Sequence, residues 1–125
     1  MRSTLLLIML WASFVCHAQS YKLFTTDEDL SSSLINHIYQ DSNGMIWVAT
    51  EDGLNRYDGA KFTTYKHNPE DAHSLSHNYV RRIFEDSKGH IYIGTHNGVQ
   101  VYNPATDTFS EKAILENDRP YNQSI

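Results

Sequence analysis

The sequence predicts an all-β protein made of β-propeller blades: two four-stranded antiparallel sheets of an incomplete propeller. Three observations carry this expectation. The 125-residue chain repeats itself, with IYQDSNGMIWVATEDGLNRYD at 38–58 and IFEDSKGHIYIGTHNGVQVYN at 83–103. The turn residues recur in register: Asp41-Ser42 with Asp86-Ser87, Gly44 with Gly89, Gly53 with Gly98. Each copy also divides into four short β-branched and aromatic runs. Four strands in a period of roughly 40–45 residues is the arithmetic of a propeller blade. A single irregular sandwich would supply strands but no reason for the turns to recur.

In the first unit, 34–40 reads as a strand, followed by Asp41-Ser42-Asn43-Gly44. Asp at the first position and Gly at the fourth suit a type I turn closed by a residue with positive φ. Residues 45–49 are β-branched and aromatic, a second and largely buried strand. Glu51-Asp52-Gly53 repeats the turn logic, 54–57 is a third strand, and Asp58-Gly59 marks a hairpin into a fourth at 61–65. The second unit predicts strands at 79–85, 90–94, 99–102 and 108–112, with a longer last turn over 103–107.

The shared pattern D-S-x-G-x-I-[WY]-[VI]-x-T-x-[DN]-G-[LV]-x-x-[YF] resembles the two-component regulator propeller repeat, over residues 30–112. The second copy departs from it at Tyr92, where Trp is commoner. The resemblance implies the periplasmic sensor region of a Bacteroides-type hybrid two-component histidine kinase. It further implies an oligosaccharide ligand outside the cell, a homodimeric full-length receptor, and a signal crossing the membrane through downstream regions to regulate transcription. Two alternatives stand beside it: an exported propeller enzyme acting on glycans (a lyase or hydrolase), and the same sensor coupled to another output such as a diguanylate cyclase.

The domain plan follows from these units. Residues 1–18 read as a cleaved secretory signal: Arg2, then an apolar run over 5–15, then Cys16-His17-Ala18 before Gln19. The apolar run is shorter than the roughly 20 residues a membrane span needs. Residues 19–29 form an N-terminal segment whose 21–24 stretch resembles a fourth strand, offered either as a closing strand or as an unstructured terminus. Blade one occupies 30–74 and blade two 75–112. Residues 113–125 connect to a third blade, so the chain reads as the N-terminal piece of a longer protein, because two blades leave both outer faces wet. Cys16 is the only cysteine, which excludes a disulfide framework. Beyond residue 18, nine Lys and Arg face fifteen Asp and Glu, a net charge of −6 that argues against nucleic acid as a partner.

No catalytic motif and no cofactor fingerprint is legible. Glu85 and Asp86 are adjacent on a strand and point to opposite sides, so they cannot flank one scissile bond. His73 and His77 have i, i+4 spacing but no third ligand, and no metal is expected. Trp47 and Tyr92 share one repeat position and read as core rather than as a sugar platform. Alternate loops of a meander fall on one face of a blade, so 50–53, 66–78 and 95–98 share a face opposite the Asp-Ser-x-Gly turns. Loops on a rigid scaffold carry binding. The residues that differ between the two copies on that face, Glu51, Asp52, His96 and Asn97, together with Arg81 and Arg82 beside it, are therefore the expected ligand-binding set.

Overall fold

The computed structural model describes residues 19–111. The expected signal at 1–18 and connector at 113–125 lie outside the described residues. Strands β1 (Ile35–Gln40), β2 (Ile46–Thr50), β3 (Gly53–Tyr57) and β4 (Phe62–Tyr65) pair in chain order into one antiparallel sheet. Strands β5 (Val80–Glu85), β6 (Ile91–Thr95), β7 (Gly98–Asn103) and β8 (Thr108–Glu111) do the same in a second. Two meander sheets of four strands are two propeller blades, and each boundary falls within a residue of the repeat-based expectation.

The turns show why the repeat is written as it is. Asp41 Oδ1 accepts the backbone N–H of Asn43 and Met45 at 2.9 and 3.0 Å, while its Oδ2 accepts Trp47 Nε1–H at 2.8 Å. Asp86 repeats this with Lys88 and His90 N–H, both at 2.9 Å, and with the Tyr92 hydroxyl at 3.0 Å. One carboxylate thus closes the turn and satisfies the polar tip of the aromatic ring that starts the next strand, which a buried ring of this kind requires. Trp and Tyr exchange here because each has a donor at its far end. At the other end of the sheet, Thr50 and Thr95 hydroxyls cap the next loop, accepting Asp52 N–H at 3.1 Å and Asn97 N–H at 3.0 Å.

Gly53 has φ of 127°, and a Cβ there would stand 2.9 Å from the Tyr65 carbonyl oxygen. Gly98, its counterpart, also has positive φ (100°) but open space around it. Gly53→Ala is expected to cost about 1–3 kcal/mol of backbone strain plus the clash, and Gly98→Ala the strain alone. Urea unfolding of the two variants checks the order; a Gly98 variant as damaged as the Gly53 variant contradicts it.

Each innermost strand carries one bulge at the same repeat position, between Ile35 and His37 and between Val80 and Arg82. An extra residue twists and re-aims a strand locally. Here the extra residues are Asn36 and Arg81. Asn36 uses its side chain to donate to the Val80 carbonyl at 2.8 Å, and Ile83 N–H donates to His37 Nδ1 at 3.2 Å. These bonds lay β1 against β5, so the first strand of each blade is the inner one.

Between the blades lies the core. Trp47, Ala49, Leu54 and Tyr65 of the first pack with Ile83, Ile91, Ile93, Tyr102 and Phe109 of the second. Trp47 stands edge-on to Tyr102 at 4.9 Å between centroids and stacks on Tyr65 at 6.1 Å. The linker between blades joins this core instead of standing off in solvent. Leu75 is fully buried, Phe109 N–H donates to the His73 carbonyl at 2.9 Å, and Gly53 N–H donates to the Asn78 carbonyl at 2.6 Å.

The N-terminal segment differs from one of its two expectations. Residues 21–24 form no strand and no ladder, with Tyr21 and Leu23 left 90% and 84% exposed. Phe24 is anchored against Tyr57 and Phe62 at 5.0 and 4.9 Å, and Lys22 Nζ donates to the Tyr57 hydroxyl at 3.3 Å. Strand geometry needs a partner for every second backbone N–H and C=O, and among the described residues neither sheet includes this stretch.

Candidate ligand-binding face

The two β2–β3-type loops and the start of β5 meet on one face, as the meander requires. Glu51 N–H donates to the Leu34 carbonyl and His96 N–H to the Tyr79 carbonyl, both at 3.1 Å, so the loops sit alike in both blades. Tyr79 joins them. Its ring stacks on His96 at 3.9 Å between centroids and 20° between planes, and its hydroxyl donates to Glu51 Oε1 at 3.2 Å. His77 adds a third ring, 5.4 Å from that of His96. Burial, then the positive charge of Arg81 and the neighbouring His77, hold the His96 pKa below its ordinary value, against a smaller opposing pull from Glu51. Near neutral pH this imidazole is therefore a neutral stacking surface with a donor and an acceptor.

Of the six residues expected here, the structure gathers Glu51, Arg81 and His96 around Tyr79. Asp52 is engaged elsewhere, in an ion pair with Lys66 at 2.9 Å. Asn97 donates to the Ser76 carbonyl at 3.5 Å, so it belongs to its own loop. Arg82 is exposed and pairs in register with Gly94, one residue past the bulge. Tyr79 was missed in the sequence because it precedes the repeated block; an aromatic residue two positions before the bulged Arg81 was the available signal.

Two further features escaped the repeat comparison. Ser31 and Ser76 each reach the capping threonine of their own blade, Oγ to Oγ1, at 3.1 and 2.8 Å. Their backbone N–H groups donate to Asn55 and Gln100 side chains at 3.1 and 2.8 Å. Extending the alignment back to Leu30-Ser31 and Leu75-Ser76 reveals this pair.

The second feature lies on the opposite face. Between the Asp-Ser-x-Gly turns opens a cleft of about 510 Å³, lined among others by Trp47, Arg56, Lys88, His90, Tyr102 and Pro104. The Arg56 guanidinium stands 5.6–5.8 Å from the Trp47, Tyr65 and Tyr102 ring centres, a cation among three π faces. It donates to the Tyr102 hydroxyl and lies 3.4 Å from Asp107. Asp107 also accepts the Tyr65 and Tyr102 hydroxyls at 2.6 and 2.7 Å. Burial first, and then the Asp107 carboxylate, push the Tyr65 hydroxyl far above the ordinary tyrosine range. Next to this cluster Glu85 fastens blade two to blade one, accepting the Ser42 hydroxyl, Ser42 N–H at 2.9 Å and the Tyr39 hydroxyl at 3.3 Å. The Ser42 hydroxyl is the main reason its carboxyl is held below the usual range. Asp86, its neighbour, turns the other way into its own blade, which leaves no facing carboxylate pair at this point.

These features define a class: a meander-bladed β-propeller whose turn residues hold the aromatic core. The two-component regulator propeller family matches residues 29–52 and 74–97, one match per blade. Both repeats carry that family's pattern. It is 31% identical, with a TM-score of 0.64, to the extracellular domain assigned to hybrid two component system BT3049 of B. thetaiotaomicron, over 78% of this chain and 14% of that one. The extracellular domain assigned to BT4673 of the same organism shares the fold at 23% identity and a TM-score of 0.61, over 80% of this chain and 14% of that one. Histidine kinase P4 of Formosa agariphila is 48% identical over 56 residues, which are 45% of this chain and 4% of the kinase. The chain thus spans a small part of the length of each of these relatives.

Proposed function

We propose that this chain is a ligand-sensing portion of the periplasmic propeller of a hybrid two-component sensor histidine kinase, and that its ligand is an oligosaccharide. The observation that carries this reading is the match of both blades to the BT3049 extracellular domain at 31% identity. The loop face supports the ligand class. Tyr79 and His96 offer stacked rings, Glu51 an acceptor and Arg81 a donor array, a combination suited to a hydroxyl-rich ring. Binding acts by differential affinity: ligand favours one arrangement of propellers in a homodimer, and the change passes through the membrane to the kinase. In this reading Tyr79, Glu51, Arg81 and His96 supply the contacts of this segment, with Arg82 beside them, while Asp52 and Asn97 are engaged by Lys66 and the Ser76 carbonyl.

In the full-length receptor, replacing Arg81 and Arg82 together with Ala is expected to weaken oligosaccharide binding roughly tenfold. Stability should stay within about ±0.5 kcal/mol per site, because both side chains are exposed. Calorimetric titration against a panel of plant and host oligosaccharides tests this. Unchanged affinity in the double variant removes these arginines from the site, and silence of the wild type across the panel counts against the ligand class.

A further inference from the structure

The cleft between the Asp-Ser-x-Gly turns plays no part in the loop-face site, and its walls carry donors that the fold does not use up. At about 510 Å³ it has the size of a small-molecule site. Blade one supplies Asn43, Met45 and Arg56 to it, and blade two supplies Lys88, His90 and Ile91.

Arg56 is incompletely paired. Both of its hydrogen bonds leave from Nη1, to the Tyr102 hydroxyl and to Asp107 Oδ1 at 3.4 Å. Its Nε is buried with no partner among the described residues. Its Nη2 makes no bond there either, yet is not sealed from solvent. A buried donor left unpaired is costly, and the blade itself does not require one, because Val101 fills the same repeat position in blade two. Lys88 is the second cation. It is exposed, forms no ion pair among the described residues, and stands where the first copy of the turn has Asn43. The nearby acids are already engaged. Asp41 accepts three donors of its own blade. Asp107 Oδ1 accepts the Tyr65 and Tyr102 hydroxyls besides Arg56. His90 is tied to Asp86 at 2.8 Å. The strongest donors left unused in the cleft thus belong to two cations, in a chain whose net charge is −5.

We propose that this cleft is a second ligand site and that it takes an acidic sugar, a uronate whose carboxylate is held by Arg56 from blade one and Lys88 from blade two. Charge-assisted hydrogen bonds from guanidinium and ammonium groups to a carboxylate are the strong ones. The rest of the lining selects among anions. Met45, Ile91 and Pro104 offer an apolar surface that a bare sulfate leaves uncovered, and a sugar ring has a C–H face to lay on it. The Asn43 amide offers a donor and an acceptor that a purely apolar acid leaves unmatched and a ring hydroxyl satisfies.

Calorimetric titration of the full-length receptor with glucuronate and galacturonate, and with glucose and inorganic sulfate for comparison, tests the proposal. A uronate is expected to bind, more weakly as salt rises, because salt screens exposed charges. Lys88→Ala is expected to weaken that binding roughly tenfold, the loss of one charge-assisted bond, and Lys88→Arg to restore most of it. Arg56→Met is expected to abolish it. Lys88 is exposed and unpaired, so its replacement leaves the fold intact and carries the test even if Arg56→Met loosens the contact between blades. A wild type that binds neither uronate overturns the proposal, as does unchanged affinity in Lys88→Ala. Glucose binding as tightly as the uronates removes the carboxylate from recognition, and sulfate binding as tightly removes the ring; either result overturns it. Uronate binding lost on replacing Arg81 and Arg82 but kept in Lys88→Ala places the acid on the loop face and overturns the cleft site. The neutral oligosaccharides of the earlier panel read the loop face alone, so the two proposals fail separately.

Discussion

Trp47→Ala lowers the stability of the full-length propeller by about 3–5 kcal/mol, the usual cost of emptying a buried aromatic site. The ring is 1% exposed and sits at the centre of the contact between blades, touching Tyr65 and Tyr102 with the Arg56 guanidinium above it. Removing it opens a cavity that neither sheet can close, because both backbones are held by their own ladders. It also strips Arg56 of one of its three ring faces. Chemical denaturation of the full-length protein measures the loss, and unchanged melting would return Trp47 to the surface as a sugar platform. Trp47→Tyr is the informative companion. Tyr92 already fills the equivalent position with its hydroxyl on Asp86, so this variant is expected to lose much less.

Asp41→Ala is expected to cost about 3 kcal/mol, although no apolar contact of the core is removed. Its carboxylate accepts three donors, one of them the buried Trp47 Nε1–H. Hydrogen bonds to a charged group contribute about 1.5–3 kcal/mol each, and a buried donor left alone costs about 1–3 kcal/mol. Exposed turn amides recover water, so the sum falls well short of three full bonds. Asp41→Asn keeps an acceptor and should cost less. A double-mutant cycle with Trp47→Phe, which lacks the donor, isolates the ring–carboxylate term. Additive losses in that cycle would show that the Asp acts on the turn alone.

Asp41 and Trp47 also show how far a repeat can be read. Their co-occurrence six residues apart is visible in both copies, and it marks a turn followed by a buried strand. That the two side chains bond each other is not visible, since nothing in spacing alone says that a carboxylate in a turn folds back on the next strand. The same holds for Arg56. Its counterpart is Val101, so comparison of the copies registers only a mismatch. Its position among three rings and against Asp107 depends on how one blade is rotated against the other. The ligand-binding set was reached by a loop argument, and the loops do share a face. Which of its members converge was decided by Tyr79, whose ring and hydroxyl reach His96 and Glu51 at once. Asp52 was drawn away by Lys66, a residue 14 positions on in the linker.

The sequence by itself determined what depends on near neighbours along the chain. Strand positions, turn types and the order of the eight strands among the described residues follow from two-residue alternation and from glycine and Asp at fixed offsets. These are local constraints of backbone geometry, and two copies in register make them legible twice over. The tertiary structure alone decided what depends on the relation between blades: the Arg56 cluster, the cleft beside it, the Ser42–Glu85 fastening, and the unpaired state of residues 21–24. Contacts of that kind join residues more than 40 positions apart, as with Arg56 and Asp107 or Ser42 and Glu85. Their geometry is set by how two twisted sheets pack, a quantity that no stretch of sequence encodes on its own.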